Sequence, residues 1–131
     1  MKPTYLNLMG AAAIAAASFV AGPAAAQQLD VTVMERTQGD LDTCAQGEVR
    51  GLKADGDGFL AVRSGPSTKY RKIDELINGN KVWLFDQKGP WVGIVYGVPD
   101  VDCSPIAKDR PVPYPAMKGW VHENWIGVTA G

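Results

Sequence analysis

Turn-forming residues interrupt this chain so often that it cannot be built from long helices. The sequence has 131 residues, and 20 of the 105 residues after position 26 are glycine or proline. Glycine and proline mark turns, and the apolar runs left between them are short. Several short runs separated by regular turn signals are typical of a small all-β domain. We therefore expect an all-β fold.

The first 26 residues have the composition of a secretory signal rather than of a folded domain. Ten of the 16 alanines lie there, together with a single charged residue, Lys2. The apolar stretch Leu8–Ala21 has 14 residues, whereas a transmembrane helix needs about 20. Three alanines precede Gln27 and supply the small residues that signal peptidase accepts. We predict a signal peptide over residues 1–26, cleavage between Ala26 and Gln27, and a periplasmic or secreted mature protein without a membrane anchor.

The charge of the remaining residues is nearly balanced. Without Lys2, 12 Lys and Arg residues face 14 Asp and Glu residues, a formal net charge of −2. Binding to nucleic acid or to anionic lipid requires clustered positive charge. Neither is therefore expected as a main partner.

Cys44 and Cys103 are the two cysteines of the sequence. In an oxidising compartment, the cysteines of an exported chain are favoured to join. A catalytic thiol is the alternative, but the one histidine is distant in sequence and no thiolate-activating motif accompanies either cysteine. We therefore predict a disulfide that closes a loop of about 60 residues.

From residue 48 onward, hydrophobic residues form short runs bounded by turn residues. The runs predicted as strands are 48–53, 59–63, 81–86, 91–96, 119–122 and 125–128. Residues 73–77 fit either a strand or one helical turn. Residues 55–58 predict a turn, and residues 98–117, with five prolines, predict a long loop ordered by packing. Residues 27–46 are polar and are interpreted as a flexible lead-in or an edge strand.

Several motifs follow one another in the order found in a known barrel family. They are Leu60–Ser67 followed by Tyr70, then Asn78–Val82, then Trp91, and finally Gly119–His122. Together they resemble the signature loop, the turn into the central strand and the last two strands of the bacterial Src homology 3 (SH3) domain. The resemblance implies a small SH3-like barrel of five to six short antiparallel strands over residues 47–129. Residues 98–117 would then be an insertion where the family usually has a short hairpin.

The same resemblance implies a function. Bacterial SH3 domains are attached to cell-wall enzymes or occur as exported modules that bind peptidoglycan or proteins. We therefore expect a non-catalytic module that recognises peptidoglycan or a periplasmic protein. The alternative is a structural or regulatory protein, a subunit or inhibitor of another exported protein, without affinity for the cell wall. The oligomeric state stays open.

Catalysis is not expected from this inventory of residues. A hydrolase needs an activated nucleophile, a carboxylate pair in a cleft or a metal site. No serine lies in a nucleophile-elbow motif, and the Asp and Glu residues mostly occupy turns. His122 has no Cys or carboxylate at ligand spacing and is interpreted as a structural residue. No metal and no cofactor are therefore predicted.

Two adjacent strands are apolar on both faces. A barrel strand buries one face, and the resemblance implies that Val82 and Leu84 point inward. The side chains left outside are then Trp83, Phe85, Trp91 and Val95. An apolar outer patch is either covered or used. Either residues 98–117 cover it, held by the disulfide, or aromatic residues form a ligand groove, for which the candidates are Tyr70, Trp91, Trp120 and Trp125.

Two residues of the signature loop have expected structural roles. Gly65 is expected to adopt a positive φ angle before Pro66, whose ring fixes its own φ. Arg63 is expected to donate hydrogen bonds to backbone carbonyls rather than to bind an anion. Both roles follow from residue chemistry without the family resemblance.

The predicted cleavage site has a direct test. Intact mass of protein exported by a bacterial host should match residues 27–131 with one disulfide. Ala26→Phe should slow the processing, because signal peptidase requires a small residue before the cut. A different processed N-terminus, or a leader retained on the exported protein, would contradict the assignment.

Overall fold

A computed structural model describes residues 28–53, 55–56 and 58–131 of the chain. The predicted signal peptide lies outside the described residues, as do Ala54 and Asp57 in the region of the predicted turn at 55–58. Within these ranges the regular structure is β-strand, apart from a three-residue 3-10 turn at Glu123–Trp125. No helix in this part of the chain has the length and apolar character needed to cross a membrane.

The described residues form nine strands in two antiparallel sheets. The strands are β1 Met34–Glu35, β2 Ala45–Val49, β3 Leu60–Arg63, β4 Lys72–Leu76, β5 Lys81–Lys88, β6 Trp91–Tyr96, β7 Arg110–Pro111, β8 Met117–His122 and β9 Ile126–Ala130. The main sheet has the order β4–β3–β8–β6–β5–β2–β9, and β1 pairs with β7 in the small sheet. The prediction of an all-β fold is confirmed.

The structure corrects several element boundaries. The first predicted strand, 48–53, lies instead at β2, which ends before Gly51 adopts a positive φ of 83°. Residues 73–76 belong to strand β4, where Leu76 pairs with Leu60, rather than to a helical turn, and Ile77 follows the end of the strand. The expected count of five to six strands was too low, because β4 was ambiguous and the short β1–β7 pair was not foreseen.

One face of the main sheet lies against the first core. Its buried side chains come from six strands and are Val49, Leu60, Val62, Leu76, Val82, Val92, Ile94, Tyr96 and Val121. Val82 and the half-buried Leu84 are the two β5 side chains expected to point inward, and both pack in this core. Alternation along the strand then directs their neighbours to the other face.

The opposite face carries a second core beneath two covering segments. The sheet contributes Trp83, Phe85, Val95 and Trp120. Val33 from the lead-in and Val112 from the insertion pack onto them, so both segments bury the outer face. The expected covering by residues 98–117 is confirmed, but residues 28–44 share it. The lead-in is therefore packed against the sheet and is more than an edge strand.

The two covering segments are joined to each other. The predicted disulfide between Cys44 and Cys103 is present. Beside it, Thr43 N donates to Cys103 O at 2.8 Å. Further along, Val112 N donates to Val33 O at 3.2 Å, next to the β1–β7 pair. Covalent and backbone bonds thus hold the lead-in and the insertion as one cover.

Two buried carboxylates fix the lead-in in position. Glu35 in β1 accepts a hydrogen bond from Arg110 Nε at 2.7 Å. Asp86 in β5 accepts from Met34 N at 3.1 Å and from Arg36 Nε at 3.0 Å. A buried carboxylate is costly unless it is paired and hydrogen-bonded. A shifted register of β1 would break the bonds of Glu35 to Arg110 and of Asp86 to Met34 N, so these carboxylates specify where the lead-in lies.

Gly93 in β6 leaves the room that Val33 occupies. A Cβ added at Gly93 would lie 2.9 Å from Val33 Cγ1 and 2.9 Å from Asp86 Cβ. We predict that Gly93→Ala lowers the free energy of unfolding by about 1–3 kcal/mol, because it overpacks the second core. Val33→Ala should also destabilise, because it leaves a cavity. Urea unfolding at neutral pH measures both.

The double variant separates this contact from a general loss of stability. Alanine at position 33 removes the valine methyl groups that a Cβ at position 93 would meet, whereas the contact with Asp86 Cβ remains. The loss in Val33→Ala/Gly93→Ala should therefore be smaller than the sum of the single losses by about 1 kcal/mol. Strictly additive losses would mean that the two residues do not share the space that we describe.

Candidate functional site

A groove of about 370 Å³ lies between the β2–β3 loop and the 3-10 turn after β8. Its aromatic and cationic or titratable lining residues are Lys53, Phe59, Arg63, Trp91, His122 and Trp125. The two sides come from parts of the chain that are distant in sequence. They meet beside Trp91, the first residue of β6. The structure thus brings together two of the four candidate residues, Trp91 and Trp125.

The 3-10 turn holds Trp125 at the rim of the groove. His122 caps this turn, because its Nδ1 accepts a hydrogen bond from Asn124 N at 3.2 Å. The Trp125 carbonyl accepts from Arg50 N at 2.9 Å. The indole packs over Gly51, where an added Cβ would lie 3.6 Å from the ring. With 37% of its surface exposed, Trp125 is fixed in place and still open to a ligand.

Trp91 and Phe59 supply the other rings. Trp91 begins β6 opposite His122 in β8, and the two rings meet edge to face with centroids 5.5 Å apart. On the loop side, Lys72 Nζ lies 4.8 Å from the centroid of the Phe59 ring. Flat aromatic side chains give large contact areas at a low cost in conformational entropy. The groove is therefore suited to binding sugar rings or apolar side chains.

Arg63 has a structural role and also lines the groove. Its Nη1 donates to the Tyr70 carbonyl at 2.9 Å, so the expected bond to a backbone carbonyl is confirmed. A guanidinium has five N–H donors, and this bond uses one of them. Together with Lys53, Arg63 places positive charge beside the aromatic rings.

Tyr70 packs against the signature loop and does not line the groove. A Cβ at Gly65 would lie 2.5 Å from Tyr70 Cγ, so the half-buried ring rests on the Gly65 backbone. Gly65 is absent from the glycines with positive φ, so that expectation was wrong. The position requires glycine because a neighbouring ring fills the space of a side chain. Tyr70 is therefore removed from the candidate groove.

Trp120 also lies outside the groove. It shares a face of β8 with His122, but Val31 of the lead-in lies over it and accepts a hydrogen bond from Trp120 Nε1 at 2.9 Å. Its side chain is fully buried in the second core. A ring with no exposed surface cannot contact a ligand, so its placement among the groove residues was wrong. The cover reaches Trp120 and stops before His122.

Sequence reasoning missed Lys53, Phe59 and the second role of His122. His122 caps a turn, as a structural residue would, but it also lines the groove. The signal for it was present, because His122 and Trp91 become neighbours once β6 and β8 pair. That pairing was hidden by the long insertion between the two strands, which leaves the register undetermined.

The described ranges contain no group of three or more His, Cys, Asp or Glu side chains that could hold a metal ion. The groove instead offers aromatic faces and N–H donors. Such a set binds and orients a ligand through contact area and charge.

Comparisons with known protein families, with curated proteins and with solved structures find no match to this chain. A function must therefore be argued from the geometry and chemistry of the groove.

Proposed function

We propose that this chain is a non-catalytic, exported binding module with an SH3-like barrel that holds peptidoglycan in its aromatic groove. The observation that carries the proposal is the convergence of Phe59, Trp91 and Trp125 on one open groove. Exposed aromatic side chains that meet in a concave site are a common basis of ligand recognition. Export to the periplasm or the medium forms part of the proposal.

Two features support the SH3-like part. The first core takes side chains from six strands of one antiparallel sheet, as expected when a sheet curves around a single core. The motif residues of the signature loop lie at the end of β3 beside the groove, where Arg63 ties the loop to Tyr70. The disulfide between the covering segments is compatible with an oxidising compartment.

The chemistry of the lining favours a ligand that combines rings with negative charge. Aromatic faces stack on sugar rings and on apolar side chains. Lys53 and Arg63 attract carboxylates. Peptidoglycan presents both groups, as sugar rings and as the carboxylates of its peptides. This combination ranks peptidoglycan ahead of a periplasmic protein as the ligand.

In the alternative proposal, a subunit or inhibitor docks onto another protein through Trp83 and Phe85. These two side chains are not available at the surface for such an interface. These side chains are 7% and 5% exposed, because the lead-in and the insertion lie over them. A protein partner would have to bind elsewhere on the surface.

Sedimentation with purified peptidoglycan tests the proposal. We predict that the protein, expressed from the full 131-residue sequence, sediments with the polymer. Trp91→Ala and Trp125→Ala should each weaken binding about tenfold, as truncation of a central aromatic contact does. Lys53→Gln should weaken it less and should reduce its dependence on salt. Ile77→Ala removes an exposed apolar side chain outside the groove and is the matched control.

The outcomes separate the two kinds of ligand. Urea unfolding first establishes that each variant is folded. Equal sedimentation of Trp125→Ala and the unchanged protein would contradict the proposal. Failure to sediment, together with capture of an envelope protein that Trp125→Ala abolishes, would assign the groove to a periplasmic protein instead.

A further inference from the structure

A second groove, of about 720 Å³, lies beside β5. β5 extends to Lys88, but β2 pairs with it only as far as Leu84. Beyond that residue, β6 is the one strand in the described part of the chain that pairs with β5. Residues 84–87 line the groove. An unpaired strand edge offers its backbone groups to an added strand. On this edge the Gln87 N–H is already bonded, because it donates to Asp86 Oδ1 at 2.8 Å, so an added segment has carbonyl oxygens as its acceptors.

The facing wall is the loop that leads from Arg36 to Ala45. Its tip is a tight turn in which Leu41 N donates to Gln38 O at 3.2 Å, and Gly39 supplies the positive φ of 66°. Cys44, joined to the insertion by the disulfide, anchors the end of the loop. The wall is therefore built into the fold and does not need a ligand to shape it.

The tip of this loop combines an apolar side chain with negative charge. Leu41 is 71% exposed and stands between Asp40 and Asp42, which are also exposed. Within the described ranges, neither carboxylate has an ion pair or a side-chain hydrogen bond. By contrast, Asp86 in the same groove is paired with Arg36. The rim therefore carries uncompensated negative charge.

We propose that this groove binds an extended segment of a protein partner that carries Lys or Arg residues beside an apolar side chain. The segment donates its N–H groups to carbonyl oxygens at the free edge of β5, along residues 85–87 that line the groove, and places its cations against Asp40 and Asp42. Its apolar side chain packs on Leu41. Charge complementarity selects this occupant, because acidic segments are repelled by the same two carboxylates. The proposal is independent of the aromatic groove, which carries the opposite charge.

Titration of the ¹⁵N-labelled protein, expressed from the full sequence, with three synthetic peptides of about ten residues tests the proposal. One peptide alternates Lys and Val, the second alternates Glu and Val, and the third is the Lys–Val peptide with a central proline. The Lys–Val peptide should shift the amide resonances of residues 38–45 and 84–88. The Glu–Val peptide should leave them unchanged. The proline peptide should bind more weakly, because proline lacks the N–H that strand addition uses.

Variants of the rim establish which residues bind the cations. Asp40→Asn/Asp42→Asn should weaken the Lys–Val peptide on the order of fivefold, as the loss of two exposed charge pairs implies. High salt should reduce the difference. Asp100→Asn, at an exposed aspartate of the insertion that does not line this groove, is the matched control.

Three results would overturn the proposal. They are equal affinity for the Lys–Val and Glu–Val peptides, shifts confined to residues 52–63 and 122–125, and shifts produced by raising the protein concentration alone. The last result would assign the edge to a second copy of the chain. Peptidoglycan sedimentation reports on the aromatic groove and these amide shifts report on the β5 groove, so the two proposals fail separately.

Discussion

Burial of the outer face of the main sheet is the constraint on which the rest of the structure depends. β5 and β6 are apolar on both sides, so the first core alone leaves Trp83, Phe85 and Val95 facing water. A monomer seldom leaves so large an apolar patch exposed. The lead-in and the insertion cover it, which explains why both are ordered although they contain little regular structure.

Both grooves lie at the borders of this cover. The aromatic groove begins where the lead-in stops, two residues beyond Trp120. The β5 groove lies between the same lead-in and the end of the strand that β2 leaves unpaired. The border at the aromatic groove carries the cations Lys53 and Arg63. The border at the β5 groove carries the carboxylates Asp40 and Asp42. A chain with almost balanced charge thus has two surfaces of opposite sign.

The strands of the sheet were predictable from short apolar runs and from the alternation of side chains along each run. Alternation predicted which side chains of β5 and β6 share a face, because successive residues of a strand point to opposite faces. Both faces are apolar, so the choice of the inner face came from the resemblance to the SH3 family. The burial of Trp120 was not predictable, because it depends on Val31, which lies 89 residues away in sequence. Gly65 was misread for a related reason: a glycine needed for its backbone angle and one needed for a neighbouring ring look alike in sequence.

The position of β8 has a consequence for the order of assembly. β8 is among the last strands in the sequence, yet it lies between β3 and β6 inside the sheet. The disulfide closes a covalent loop from Cys44 to Cys103, and this loop contains β2 to β6 but not β8. A chain emerging from its amino end therefore has a gap in the middle of the sheet until the final segments arrive. The sheet is thus completed only once β8 is available, and earlier closure of the disulfide does not replace the missing strand.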